Sequence, residues 1–422
     1  MAKHHKQIAY VEANTLIVGI DIGKAVHFVK MMLEGRQIAA FKLYNEGMSF
    51  MSLLNKIRQV EKHHQCAATL IGMEPTGHYW LPLAYFLRAH KQPFVLIQPS
   101  HVRWSKEMGD NSPLKTDEKD ASLIADMVRQ GKSHTAYLPE GVYADLRALT
   151  AMRYHKKDQI TQAKNVLHRI LDVLFPEFVS LFSDITGKTA RELLNVAPTP
   201  LQIQALGIDE LTTLIQKASN RRLSKAKAQA ILEAANTSIG VNQAIDSICL
   251  ELMQTLCLLD LLKTQLQEIE TQMNEHLQHI PQAGYMCSIP GLGPISVASI
   301  LGETGPFQAY EAPEQLIKLS GLNLFEISSG QKKGQRRITK RGRARLRRIL
   351  YTAVLPLIFH NPIFKAAYHR FKGAGKPTQK AIIALSCKLL RILFALVYKQ
   401  ETFNINGNTK KEKTVSQGKK AA

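Results

Sequence analysis

The chain has 422 residues, 45% of them hydrophobic, and a formal net charge of +21. That length suits roughly two to four domains with a substantial core. The start MAKHHKQIAYVEANT lacks a secretory h-region, and no apolar run is expected to reach the length of a membrane span. Five cysteines (Cys66, Cys249, Cys257, Cys287, Cys387) follow no CxxC or zinc spacing, and read as reduced, buried residues of a cytoplasmic protein. The charge is uneven: residues 1–130 carry +4, residues 131–280 carry −1 and residues 281–422 carry +18. A surplus so concentrated is the footprint of a nucleic-acid surface, and no lipidation motif or amphipathic terminal helix points to a membrane surface instead.

Residues 15–45 read as three strands, TLIVGIDI, HFVKMML and QIAAFKLY, separated by turns at Gly23-Lys24 and Glu34-Gly35. Met48, Met51, Leu54 and Ile57 recur at steps of three and predict a helix over 46–61. A strand is expected at 67–73, a helix from about His78 to His90, and a strand at 93–99. Residues 100–116 read as a loop broken by Gly109-Asp-Asn-Ser-Pro113. The order βββαβαβα is that of a ribonuclease-H-like α/β fold with a mixed sheet.

Four acids punctuate this region. Asp21 ends the apolar run Thr15–Ile20, in GIDIGK, and Glu74 ends Ala67–Met73, in GMEPTG. Asp117 and Asp120 lie in KTDEKDASLIADM, which reads as a helix, and a spacing of three puts them on one helical face. Carboxylates at two strand ends and one helix face can converge on a pair of divalent cations, which stabilise the attacking and leaving oxygens of a phosphodiester displacement. Hard oxygen ligands of this kind suit Mg²⁺.

Positions 146, 149, 153, 156, 160, 163, 167, 170 and 174 alternate in steps of three and four, a heptad seam interrupted by Arg153 and Lys156. Leu252, Thr255, Leu259, Leu262, Leu266, Ile269 and Met273 keep the same rhythm in a second long helix, about 242–279. An antiparallel coiled-coil hairpin, a subunit contact and an ordinary helical bundle all satisfy that pattern. Small helices are expected over 183–240, where SNRRLSKAKAQAILEAA forms a basic solvated face. Residues 288–305, SIPGLGPISVASILGETG, resemble half of a helix-hairpin-helix, whose glycines let backbone N–H groups approach a phosphate. Between Gln331 and Arg348 stand ten cations and no acid: Lys332, Lys333, Arg336, Arg337, Lys340, Arg341, Arg343, Arg345, Arg347 and Arg348. The first half is loop-like and the second runs into a helix, an arrangement suited to phosphate contacts. The tail from about Phe403 is polar and is expected to be disordered.

GIDIGK, GMEPTGHYW and KTDEKDASLIADM resemble the RuvC-like acidic motifs of the DEDD transposases of bacterial insertion sequences, bridge-RNA-guided recombinases. SIPGLGPISVASILGETG resembles the start of that family's C-terminal domain, and SGLNLFEISSGQKKGQRRITKRGRARLRR the stretch carrying its catalytic serine. The resemblance puts Asp21, Glu74, Asp117 and Asp120 at the four acidic positions and Ser329 at the nucleophile, with Ser328 an adjacent competitor. It implies domains over 1–135 (RuvC-like), 140–280 (helical or coiled-coil), 281–402 (C-terminal transposase domain) and 403–422 (basic tail). It implies a phosphoserine–DNA intermediate, donor and target DNA, a non-coding bridge RNA, and a dimer or tetramer with acids and serine from different subunits, at work in the bacterial cytoplasm on the nucleoid. The insert at 183–240 and the basic tail depart from the family pattern. A hydrolytic RuvC-like endonuclease, such as a junction resolvase using the acids and water alone, is the alternative, and a non-catalytic nucleic-acid-binding protein a third reading.

Overall fold

The computed structural model describes residues 11, 14–109, 117–135, 137–326 and 336–405. The chain forms two compact units, residues 1–144 with 305–318, and residues 145–304 with 319–422.

The first unit is built on β1 (Thr15–Asp21), β2 (Val26–Leu33), β3 (Arg36–Tyr44), α1 (Gly47–His64), β4 (Ala68–Met73), α2 (Leu81–Ala89), β5 (Phe94–Leu96), α3 (Pro99–Gly109), α4 (Asp117–Arg129) and β6 (His134–Thr135). The six strands make one mixed sheet in the order β3-β2-β1-β4-β5-β6. β1 pairs antiparallel with β2 and parallel with β4, and β4 pairs parallel with β5. Both β1 and β4 are central strands, which is why they read as nearly unbroken apolar runs. Even-numbered side chains of β1 (Leu16, Val18, Ile20) join Val29, Met31, Leu53 and Ile57 in one core layer. On the opposite face Ile17 packs with Ile124, Ala125 and Val128 of α4. His27 of β2 is fully buried, stacked on Phe50 with ring centroids 6.2 Å apart.

The expected loop over 100–116 is corrected: α3 occupies 99–109. Its first-turn proline is compatible with a helix start, and buried Val102 anchors it in the α4-side core. The Gly-Asp-Asn-Ser-Pro cluster therefore marks the end of a helix, and its residues 110–113 lie outside the described residues.

The second unit begins with α5 (Val142–Leu174), followed by α6 (Phe178–Leu181), α7 (Lys188–Val196), α8 (Pro200–Ala218), α9 (Lys225–Asn236) and α10 (Ile245–Gln278). Arg153 pairs with Glu270 at 2.7 Å and Arg169 with Glu251 at 2.5 Å, so α5 and α10 run antiparallel side by side. One of the two cations that break the heptad seam thus serves as an interhelical tie. The C-terminal half of α5 and the N-terminal half of α10 share a core with α6–α9, around Leu167, Leu171, Phe175, Phe178, Leu256 and Leu259. The insert over 183–240 is consequently a helical cap on the hairpin. All five cysteines are free; Cys66, Cys249, Cys287 and Cys387 are half-buried, whereas Cys257 is exposed because it sits on the solvent side of α10, so the expectation of buried thiols holds only in part.

Then come α11 (Pro281–Cys287), α12 (Pro294–Thr304), α13 (Pro313–Leu319, largely in the first unit), β7 (Leu324–Phe325), β8 (Arg337–Ile338), α14 (Ala344–His360), α15 (Pro362–Gly373) and α16 (Thr378–Lys399). α14 packs on α12, α15 and α16. The short turn between α11 and α12 contains Gly291 at φ 89°, a conformation only glycine adopts readily. Contrary to expectation, α16 is long and apolar enough to span a membrane. Ala381, Ile382, Leu385, Leu389, Leu390 and Leu393 are buried in the helical bundle, so packing accounts for its composition.

Candidate functional site

Asp21 and Glu74 are brought together by strand register. Ile20 pairs with Met73 across the parallel β1–β4 ladder, so Asp21 and Glu74 follow at the carboxyl ends of adjacent strands. Strand alternation puts Asp21 on the face of Ile17 and Gly19, the face covered by α4. Gly72, two positions before Glu74, lies under Val128 and Ile124 of the same helix. Each strand thus carries a glycine two positions before its acid, Gly19-Ile20-Asp21 and Gly72-Met73-Glu74, and the missing side chains admit α4. Gly19 meets Ala121 and Ala125, whereas Ile17, earlier on β1, packs with the later Val128. α4 therefore runs against the direction of β1, and its first turn comes to the edge where Asp21 and Glu74 stand. Asp117 and Asp120 are in that first turn. Asp120 is 8% exposed and Asp117 is exposed.

The backbone thus brings the four acids to one edge of the sheet, Asp21 and Glu74 at the strand ends and Asp117 and Asp120 in the first turn of α4. Among the described residues no three His, Cys, Asp or Glu side chains stand together as a ready metal cluster.

Within the basic run, Arg337–Ile338 is the second strand of a short antiparallel ribbon where the first half was expected to be loop-like, and its second half enters α14 as expected. Leu324 pairs with Ile338 and Phe325 with Arg337, and the pairing continues toward the base through Lys340 N–H to the Gly321 carbonyl and Arg343 N–H to the Leu319 carbonyl. Ser328, Ser329, Lys332 and Lys333 lie outside the described residues. Several cations are tied to the protein itself. Arg336 donates to Glu326 at 2.7 Å. Glu303, 2% exposed at the end of α12, accepts from Arg345 at 3.1 Å, and its backbone carbonyl accepts from Arg343. Arg347 donates to the Ser320 carbonyl at 3.0 Å, and Arg348 makes a bidentate pair with Asp158 at 2.7 and 3.2 Å. That hydrogen bonding holds the Asp158 carboxyl below the usual carboxylate range. Arg337, Lys340 and Arg341 present an exposed basic surface. The acid-free run concealed these ties because its partners lie elsewhere in the sequence; Glu303 carried no local signal beyond being an acid in an apolar helix.

Two family models match the chain: a DEDD-type transposase of the IS110 kind over residues 18–176, and the transposase IS116/IS110/IS902 family over residues 283–369. The chain belongs to this family of insertion-element transposases and is an enzyme of DNA transposition and recombination. It is 26% identical over 395 residues to the insertion element IS116 uncharacterized 44.8 kDa protein of Streptomyces clavuligerus, covering 92% of this chain and 95% of that one. The insertion element IS900 uncharacterized 42 kDa protein of Mycobacterium paratuberculosis is 23% identical, covering 91% and 96%. A pilin gene-inverting protein of Moraxella bovis is 22% identical, covering 92% and 97%. The DEDD designation suggests a divalent metal.

Proposed function

We propose that this transposase cuts and rejoins donor and target DNA through a phosphoserine intermediate, with Asp21, Glu74, Asp117 and Asp120 holding Mg²⁺ and Ser329 as nucleophile. The observation that carries the metal part is the parallel register of β1 and β4, which sets Asp21 beside Glu74 under the first turn of α4. Strand order β3-β2-β1-β4-β5, antiparallel then parallel, supports a ribonuclease-H-like, RuvC-like assignment for the first unit. Mg²⁺ characteristically binds through one or two carboxylates and completes its shell with water and substrate phosphate, so a loose set of four acids suits it. When bound, the metal offsets the charge developing on the phosphate. Ser329 Oγ forms a bond to phosphorus as a bond to a deoxyribose oxygen breaks, and that oxygen leaves with a proton. The basic ribbon supplies cations around the reacting phosphate. The bond energy retained in the adduct drives rejoining without a nucleotide. The resemblance supports a bridge RNA pairing with both DNAs, a homodimer or tetramer, and action on the bacterial nucleoid.

A denaturing gel with labelled DNA tests the proposal. Wild type and Ser328→Ala are expected to give a protein–DNA adduct, and Ser329→Ala none while still binding DNA and RNA. An adduct that survives in Ser329→Ala but not in Ser328→Ala moves the nucleophile by one residue. Hydrolysed DNA without any adduct supports the resolvase-like alternative.

A further inference from the structure

Within the second unit, α5, α10, α12 and α14 enclose an open cavity of about 440 Å³. Five cations line it, Arg153, Lys157 and Lys164 from α5, Lys263 from α10 and Arg348 from α14, and no carboxylate does. Glu270 and Asp158 pair with Arg153 and Arg348 from outside the lining, which leaves three lysines without a carboxylate within ion-pair distance among the described residues. Lys263 donates to the Thr186 carbonyl at 3.1 Å, a neutral acceptor. Ser296 joins the lining from the first turn of α12.

Collecting like charges is unfavourable without a counter-charge. The electrostatics record this. Although much of Lys157 is open to solvent, desolvation of its ammonium and then repulsion from Arg153 lower its pKa, against the pull of Glu270. Lys263 is lowered likewise by desolvation and then by Arg191 and Lys164, against Asp184. Bound anion would reverse both effects.

We propose that this cavity is a second nucleic-acid site, which takes a backbone phosphate of a single strand between Lys157, Lys164 and Lys263. It rests on the transposase reading only for the class of anion. The ribbon lies outside the cavity lining, apart from Arg348 in the helix that follows, so the cavity anchors a strand by contacts additional to those of the ribbon. Its volume admits a phosphate with its adjoining sugar and is far short of a duplex, whose major groove alone is wide enough for an α-helix.

The full-length chain carrying Lys157→Gln, Lys164→Gln and Lys263→Gln is compared with a control of equal charge loss on the surface of the same unit, Lys188→Gln, Lys217→Gln and Lys225→Gln. Binding of a labelled single-stranded oligonucleotide is followed by fluorescence anisotropy across salt concentrations. The cavity variant is expected to lower the salt slope by about 0.7 for each phosphate it no longer neutralises, and the control to leave it near wild type. Lysine-to-arginine versions of the three cavity positions, which keep the charge, are expected to retain the slope and serve if the glutamine variant fails to fold. An unchanged slope in the cavity variant, or an equal fall in the control, overturns the proposal. Inorganic phosphate is titrated in parallel by thermal melting. If it stabilises wild type and not the cavity variant while oligonucleotide slopes coincide, the cavity is a small-anion site and the strand assignment falls. The measurement is made with chelator present, so it does not depend on catalysis: failure of the phosphoserine reading removes the adduct and leaves this slope difference, and failure here does the reverse.

Discussion

Gly19 of β1 and Ala125 of α4 approach so closely that a Cβ on the glycine would stand 2.7 Å from the Ala125 nitrogen and 2.9 Å from its Cβ. The close approach sets the height of α4 above the sheet, and with it the position of Asp117 and Asp120 relative to Asp21. Gly19→Ala is expected to cost about 1–3 kcal/mol, the usual penalty for overpacking. It should also reduce DNA cleavage at temperatures where the variant remains folded. Urea unfolding gives the first quantity and a cleavage assay the second; full activity with normal stability would show that α4 shifts freely.

Asp21→Asn, Glu74→Gln, Asp117→Asn and Asp120→Asn are each expected to abolish DNA cleavage while leaving the fold intact. The substitutions keep shape and remove one ligand charge, which weakens metal binding and misplaces the scissile phosphate. Circular dichroism checks the fold and labelled-DNA cleavage the activity. Wild-type recombination by any one of them removes that residue from the site. Calcium in place of magnesium should permit binding but slow the chemistry, because its looser coordination positions oxygens less well.

Glu303→Ala is expected to destabilise the second unit by about 1.5–3 kcal/mol, the range for a hydrogen bond to a charged group, because Arg345 is itself partly open to solvent. It leaves Arg343 and Arg345 without the buried carboxylate that holds the base of the ribbon. Glu303→Gln keeps an acceptor and should lose less. Urea midpoints of the two variants decide the order; equal midpoints would show that the carboxylate charge is immaterial.

Neutralising Lys332, Lys333, Arg336 and Arg337 together should weaken binding to many DNA sequences about equally. It should also lower the duplex salt slope by up to about 0.9 for each phosphate left unneutralised. Arg336, already paired with Glu326, should contribute least when changed alone. Single and combined variants measured against salt separate these contributions, and an unchanged slope in the combination would reduce the run to a solvated face.

His27 gives the first unit a pH dependence. Its ring is fully buried, and burial pushes its pKa below the ordinary 6.5, outweighing the upward pull of hydrogen bonding to the Gly23 backbone and the Asn45 side chain. The unfolded chain therefore takes up the proton first as pH falls, so this contribution to stability is complete above about pH 6.5 and declines toward the lowered folded value. His27→Leu should flatten the melting temperature between pH 8 and 5. Parallel curves for variant and wild type would place the pH dependence elsewhere.

The sequence by itself determined the first five strands and the long helices, and it singled out the four acids as candidates. Alternating and heptad patterns report directly which face of an element meets the core, and an acid ending an apolar run is legible without a fold. It did not show α3, whose short amphipathic stretch is hidden beside a strong breaker, nor β6 and the β7–β8 ribbon, whose two-residue strands carry no periodicity. Register was decided only in three dimensions: that Asp21 stands beside Glu74 depends on Ile20 meeting Met73 across residues far apart in the chain. The division of the basic run into cations tied to Glu326, Glu303 and Asp158 and cations facing solvent was likewise invisible, because charge pairing depends on distance in space. The lysine-lined cavity needed four helices to be assembled before like charges spaced along α5 and α10 could be recognised as one anion site.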